Sequence, residues 1–199
     1  MQFELTRQEK KQLTRQNIKN AAINCFEKNG VEDTLVGHIS KKAGIAHGTF
    51  YVHFKDKGNL LNSLLDDFNV ELLKQIRPLF LNKNLKPKQI PAIIPKLCEI
   101  ILSQIEKNKS YLSIYVNRMT KSASVKELQE GINPMVVEYF GEAIFKIYAI
   151  DKLQARILMQ GILALWMRVI LQYVNEKKLT RKLTLEILKK TTLGILNNY

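Results

Sequence analysis

The chain has 199 residues, 46% of them hydrophobic, which is enough to bury a core and too apolar for a disordered chain. Its formal net charge of +13 points to a polyanionic partner, nucleic acid first and an anionic membrane surface second. The charge locates no binding face: residues 1–60 carry 10 Lys or Arg against 6 Asp or Glu, and residues 61–199 carry 21 against 12.

In chain order, the first helix signal is Thr6 followed by Glu9, the S/T-x-x-E spacing of a capping box. Ile18, Ala21, Ala22, Cys25 and Phe26 then fall at i, i+3, i+4, i+7 and i+8, an apolar stripe in which Cys25 reads as core. Gly30 is placed to end that helix. Thr34 is the expected N-cap of a short second helix carrying Val36, Ile39 and Ala43 inward and ended by Gly44. A third short helix is expected from about Ala46 to Phe54. Asp56 is the N-cap candidate of a long fourth helix, with Leu60, Leu61, Leu64, Leu65, Phe68 and Leu72 on one face and Pro78 as its limit.

The stretch PLFLNKNLKPKQIP, residues 78–91, reads as a connection. Helical periodicity resumes after Pro91 and Pro95, where Ile93, Ile94, Leu97, Ile100, Ile101 and Ile105 suit a buried helix. Further helices are expected over about Ser110–Thr120, Pro134–Ala149, Lys152–Asn175 and Thr180–Asn197, the last capped by Thr180. No strand-type alternation or internal repeat stands out. The expected fold is therefore all-α: a three-helix domain over residues 1–55, joined by the helix from about residue 56 to a helical domain over residues 56–199. The N-terminus, MQFELTRQEKKQLTR, has no apolar signal segment. The longest apolar run, Ile157 to Leu171, is interrupted by Gln160 and Arg168 and falls short of the roughly 20 residues of a membrane span. With only Cys25 and Cys98 and no Cys/His zinc spacing, a cytoplasmic protein without disulfides, metal or membrane span is expected.

Two short helices joined by a glycine turn make a helix-turn-helix, whose second helix enters the DNA major groove. The run AGIAHGTFYVHFKDK, Ala43 to Lys57, resembles the signature of the TetR family of bacterial regulators. AAINCF (Ala21 to Phe26), Gly30, Thr34 and Ile39 fall where that family keeps apolar and small residues, so the resemblance spans about residues 13–65 without a gap. Within the third helix, Ile45, Phe50 and Phe54 are the expected anchors, read as core and not as base-stacking groups. That leaves His47, Gly48 and Thr49 as base readers. Gly48 permits close backbone approach, Thr49 offers a hydroxyl and a methyl, and His47 can donate or accept at a purine edge. Thr34, Tyr51, His53 and Lys57 are the expected phosphate contacts, Lys57 lying in the first turn of the fourth helix, and the family resemblance implies the same use. Gly58 departs from the acidic residue frequent in the family and weakens that helix start by up to ~1 kcal/mol. His38, His47 and His53 cluster, but their spacing fits no common zinc pattern.

A recognition helix this short reads few base pairs, so operator binding calls for two copies on a palindromic site. The resemblance implies a homodimer through the last two helices. Ile157, Leu158, Gly161, Ile162, Leu165, Trp166, Val169, Ile170 and Tyr173 make the first of these apolar around much of its circumference. Tyr111, Tyr115, Arg118, Met119, Met135, Tyr139, Met159 and Trp166 are candidates for a small-molecule pocket, with Arg118 as an anion anchor. Core packing is the competing reading for each.

Three function classes follow. The first is a repressor that binds a double-stranded DNA operator as a homodimer and is released by a small-molecule effector. The second is an enzyme, for which there is no phosphate loop, GxSxG elbow, HExxH or paired carboxylate, and no cofactor motif. The third is a DNA-binding or scaffold protein of the same fold without an inducer, with a Cys98 redox switch as a variant.

Overall fold

The computed structural model describes residues 6–82, 84–109, 112, 134–175 and 179–198. Among them there are helices and turns and no strand. The helices are α1 (Arg7–Asn29), α2 (Val36–Ala43), α3 (His47–His53), α4 (Lys57–Ile76), α5 (Ile90–Lys107), α6 (Pro134–Tyr148), α7 (Lys152–Asn175) and α8 (Arg181–Leu196). The expected helix over Ser110–Thr120 lies outside the described residues. The chain divides into two compact units, Met1–Asp67 and Phe68–Tyr199.

In the first unit α1 starts as its sequence requires. The Thr6 hydroxyl accepts from the Glu9 N–H at 3.2 Å, and the Glu9 carboxylate accepts from the Thr6 N–H at 2.7 Å. These bonds to Thr6 also hold the Glu9 carboxyl below the usual carboxylate range. The α1 stripe is the core face: Ile18, Ala21, Ala22, Cys25 and Phe26 are all buried. Gly30 ends the helix at φ 77°, a conformation that disfavours other residues, and its N–H reaches the Phe26 carbonyl at 2.9 Å. Gly44 closes α2 at φ 66°, and the following Ile45 N–H donates to the Ser40 carbonyl at 3.1 Å, a Schellman closure. The Asp56 carboxylate caps α4 through the Asn59 N–H at 2.7 Å. Leu60, Leu61, Leu64 and Leu65 of α4 are buried.

Thr34 departs from its expected role. α2 is preceded by Leu35, and the cap there is made from the other direction, His38 Nδ1 accepting from the Leu35 N–H at 3.3 Å. The Thr34 side chain turns inward instead. Its hydroxyl donates to the Gly30 carbonyl at 2.6 Å and lies 3.2 Å from the Cys25 carbonyl, so it serves the exposed end of α1 rather than the start of α2.

The second unit begins inside α4, whose Leu72, Leu73 and Ile76 are buried. The connection over residues 78–91 is not featureless: Arg77–Phe80 and Pro87–Gln89 form 3₁₀ turns, and α5 follows directly with Pro91 in its first turn and Pro95 inside it. α5 packs against α8, and α7 packs against both α6 and α8. Arg181 at the start of α8 bridges Glu99 at 2.8 Å and Glu106 at 3.3 Å on α5. Within the core Trp166 Nε1 donates to the Thr192 hydroxyl at 2.7 Å, which in turn donates to the Leu188 carbonyl at 2.7 Å.

α7 has two apolar faces of different fate. Ala155, Met159, Ile162, Trp166 and Ile170 are buried, whereas Leu153 and Ile157 stay more than half exposed and Leu165 nearly so. The expectation that no segment is long enough to span a membrane needs correction. Lys152–Val174 qualifies by length and composition, because the polar Gln160 and Arg168 interrupt the run without lowering its mean hydropathy enough. A core helix passes the same test, and the buried face of α7 is packed as one.

Candidate functional site

α3 is anchored by two aromatic residues. Phe50 is fully buried and Phe54 nearly so, their ring centroids 5.8 Å apart. Ile45, expected beside them, is only half-buried. One turn of helix separates Phe50 from Phe54, so most of the residues between them and before them lie toward the outer face. His47, Gly48 and Tyr51 are exposed, and Thr49 and His53 are half-buried. His47 and Tyr51 stack edge to face with centroids 5.4 Å apart. Val52, 68% exposed, belongs to this outward surface and was not singled out from the sequence. The helical offset from Phe50 and Phe54 contained that information. A Cβ built on Gly48 would meet nothing within 4 Å, so packing inside the protein does not ask for glycine there.

The polar groups around α3 are mostly committed to the protein itself. Arg15 of α1 donates through one nitrogen to the His53 carbonyl and through another to the Ser63 hydroxyl at 3.1 Å. Its guanidinium also lies 4.0 Å from the Phe54 ring centroid. Lys19, buried on α1, pairs with Asp67 at 2.7 Å and donates to the Ser63 carbonyl at 3.3 Å. These cations were not recognised from the sequence, where nothing distinguishes them from solvated lysines and arginines.

Two of the expected phosphate contacts are placed otherwise. Thr34 is fully buried with its hydroxyl engaged, so that side chain presents nothing to a phosphate. Lys57 Nζ donates to the carbonyls of Val31 at 2.6 Å, Glu32 at 3.0 Å and Thr34 at 2.9 Å. All three ammonium hydrogens are thereby used within the protein. The physical reason is common to both: the corner between α1 and α2 exposes backbone carbonyls that no helix satisfies, and Thr34 and Lys57 are the nearest donors. His53 sits differently. Its Nδ1 is buried without a partner, and burial, followed by the charges of Lys11 and Arg15, holds the imidazole below its ordinary pKa.

The second unit contains an apolar cavity of about 40 Å³. Phe80, Ile94, Phe140, Met159, Trp166 and Leu196 are among its walls. Its two potentially polar wall residues, Trp166 and Thr192, satisfy each other, so the cavity offers no free hydrogen-bonding group among the described residues. Of the pocket residues expected from the sequence, Met159 and Trp166 line this cavity. Tyr139 stands one layer away, edge to face with Phe80 at 6.4 Å and with Phe140 at 5.5 Å, its ring 5.8 Å from the Arg77 guanidinium. Tyr111, Tyr115, Arg118, Met119 and the Met135 side chain lie outside the described residues. The Cys98 thiol is fully buried and pushed up to about 12 by that burial, which makes it a poor redox switch.

Comparison with known proteins finds relatives of the N-terminal features. Residues 18–64, which contain most of α1 and all of α2 and α3, match the family model described as bacterial regulatory proteins, tetR family. The chain is 42% identical over 59 residues to the HTH-type transcriptional regulator AcrR of Shigella flexneri, covering 30% of this chain and 27% of that protein. A second curated relative, from Bacillus subtilis, is matched over 52% of its length, so the chain spans about a quarter to a half of these relatives. Among solved structures, a candidate TetR-family regulator from Syntrophomonas wolfei has a TM-score of 0.75 at 20% identity, over 94% of this chain and 96% of that one. Thermus thermophilus FadR, a TetR-family repressor in complex with lauroyl-CoA, has a TM-score of 0.65 at 17% identity, over 92% and 93% of the two chains. At these identities the likeness establishes a shared fold, and the kinship rests on the N-terminal segment, residues 18–64, which is similar to the tetR family of bacterial regulatory proteins.

Proposed function

We propose that the protein is a cytoplasmic transcriptional repressor that binds an operator as a homodimer and is released by a small apolar ligand. The observation that carries the DNA-binding part is the outward face of α3. There His47, Gly48, Tyr51 and Val52 are exposed above the Phe50 and Phe54 anchors, and Gly48 has open space where a Cβ would stand. A glycine that internal packing does not need suits a surface that another backbone or a base edge must approach closely. His47, Gly48 and Thr49 read bases in this proposal, with Val52 available to a thymine methyl, while Tyr51 and His53 position the duplex.

Dimerisation is supported by the second face of α7. Leu153, Ile157 and Leu165 are exposed at helical spacing, with Leu183 of α8 exposed as well, an apolar stripe that a second copy would cover. Residues 1–55 then act as the DNA-binding domain and residues 56–199 as the dimerisation and ligand-binding domain.

The cavity favours a ligand with a hydrocarbon portion, since its wall offers contact area and, among the described residues, no free polar group. The lauroyl-CoA bound to Thermus thermophilus FadR supports an acyl chain as the first ligand to try. At about 40 Å³ the cavity is well below the roughly 300 Å³ at which small-molecule pockets begin. A ligand therefore binds only a state in which the surrounding helices have opened, which is the differential affinity that release from DNA requires. The same small volume favours the second reading, a DNA-binding protein of this fold without an inducer.

A labelled-DNA shift assay with the protein's own promoter region tests both parts. A salt-sensitive specific complex is expected, weakened by the Thr49→Ala, Tyr51→Phe double variant and dissociated by a long-chain fatty acid or its CoA ester. Absence of any specific complex refutes the regulator reading. A complex indifferent to all acyl ligands leaves the inducer-free reading in its place.

A further inference from the structure

We propose that Lys57 is a positioning residue that clips the helix-turn-helix into a closed ring. Lys57 is the first residue of α4, and its acceptors, the carbonyls of Val31, Glu32 and Thr34, lie between the end of α1 and the start of α2. The chain between Thr34 and Lys57 contains α2, the Gly44 turn and α3. One ammonium thus joins the two ends of the segment that carries the recognition helix.

Several features single this contact out from an ordinary surface lysine. Its three bonds are charge-assisted and between 2.6 and 3.0 Å, and they consume every donor the group has. A long lysine side chain gives up rotamer freedom to hold such a pose, which a single weak contact would not offset. The acceptor corner is fixed from its other side by the Thr34 hydroxyl on the Gly30 carbonyl. At the far end of α3, Arg15 makes the equivalent connection, tying the His53 carbonyl to Ser63 of α4. The recognition helix is therefore held at the approach to α2 by Lys57 and at its own C-terminus by Arg15.

The proposal concerns how the helix-turn-helix is held, and its consequence for affinity rests on the DNA-binding reading. The test compares the full-length protein with Lys57→Arg and Lys57→Met. A guanidinium keeps the charge and binds phosphate well, but its planar fork cannot reproduce a tripod of bonds to three carbonyls. Amide exchange is followed over residues 31–38, and operator affinity is followed as a function of salt. The clip predicts that both variants exchange about tenfold faster or more in that segment and that both lose operator affinity. A phosphate ligand predicts wild-type exchange in both variants, near wild-type affinity for Lys57→Arg, and a slope reduced by about 0.9 for Lys57→Met. That second pattern overturns the proposal. Lys57→Arg decides the matter where Lys57→Met is too unstable to measure. If the wild-type protein binds no DNA, the regulator reading falls and the exchange measurement still decides the clip.

Discussion

The two units of this chain use their polar groups in opposite ways. In the first, cations are spent on internal acceptors: Arg15 on the His53 carbonyl and Ser63, Lys19 on Asp67, and Lys57 on three carbonyls of the α1–α2 corner. In the second, the described residues enclose an apolar cavity whose polar wall residues, Trp166 and Thr192, satisfy one another. A small helical domain with an eight-residue α2 and a seven-residue α3 has little apolar surface per helix, and directional bonds hold those helices in one pose. The longer helices of the second unit present broader apolar faces, so close packing can hold them with fewer directional bonds.

Substitution breaks this contrast most strongly at Phe50. Phe50→Ala empties a fully buried site beneath a helix of only seven residues and is expected to destabilise the first unit by about 3–5 kcal/mol. Chemical denaturation should show an early transition for that unit, and operator binding should disappear with it.

A cavity-filling change in the second unit should run the other way. Ala143→Val adds methyl groups at the cavity wall, and thermal unfolding should show a gain of up to about 1 kcal/mol. The response to acyl ligands should weaken in the same variant, while operator affinity without ligand stays unchanged. Loss of stability instead would mean that the wall is already tightly packed at that point.

Gly48→Ala separates function from stability on α3. The added methyl meets nothing in the protein, and alanine is the better helix former, so the variant should be as stable as wild type or up to about 1 kcal/mol more so. Operator binding should nonetheless fall by about tenfold or more, the scale of one lost base-edge contact. Unchanged affinity would remove Gly48 from the interface.

The smallest effect concerns His53. Its pKa is depressed in the folded protein, so the unfolded chain binds a proton more readily, and stability should be retained above the ordinary histidine range and decline as pH falls through it. Unfolding followed from neutral pH downward should show a slightly shallower decline in His53→Gln than in wild type. Phosphate contact would favour the protonated imidazole, so the operator complex should show proton uptake at His53 that the variant lacks.

Much of the fold was legible in local chemistry. Thr6 with Glu9, Asp56 and Thr180 cap helices through their own side chains, and Gly30 and Gly44 adopt the positive φ that their positions demand. Such signals act over three or four residues, so sequence spacing alone contains them. The burial of Phe50 and Phe54 and the exposure of His47, Gly48 and Tyr51 follow equally from helical period and size. The roles of Thr34 and Lys57 did not follow, because their partners lie across a corner: the Lys57 acceptors are 23 to 26 residues away in the chain. Arg15 reaches 38 residues to the His53 carbonyl, and Lys19 reaches 48 to Asp67. The direction of a long cationic side chain costs little to change locally, so nothing in its neighbours' identities sets it. Residue type and period therefore determined the helices, their caps and the outward face of α3. Only the tertiary structure decided which donors remain for a partner, because backbone carbonyls left over at helix ends become acceptors only when distant elements meet.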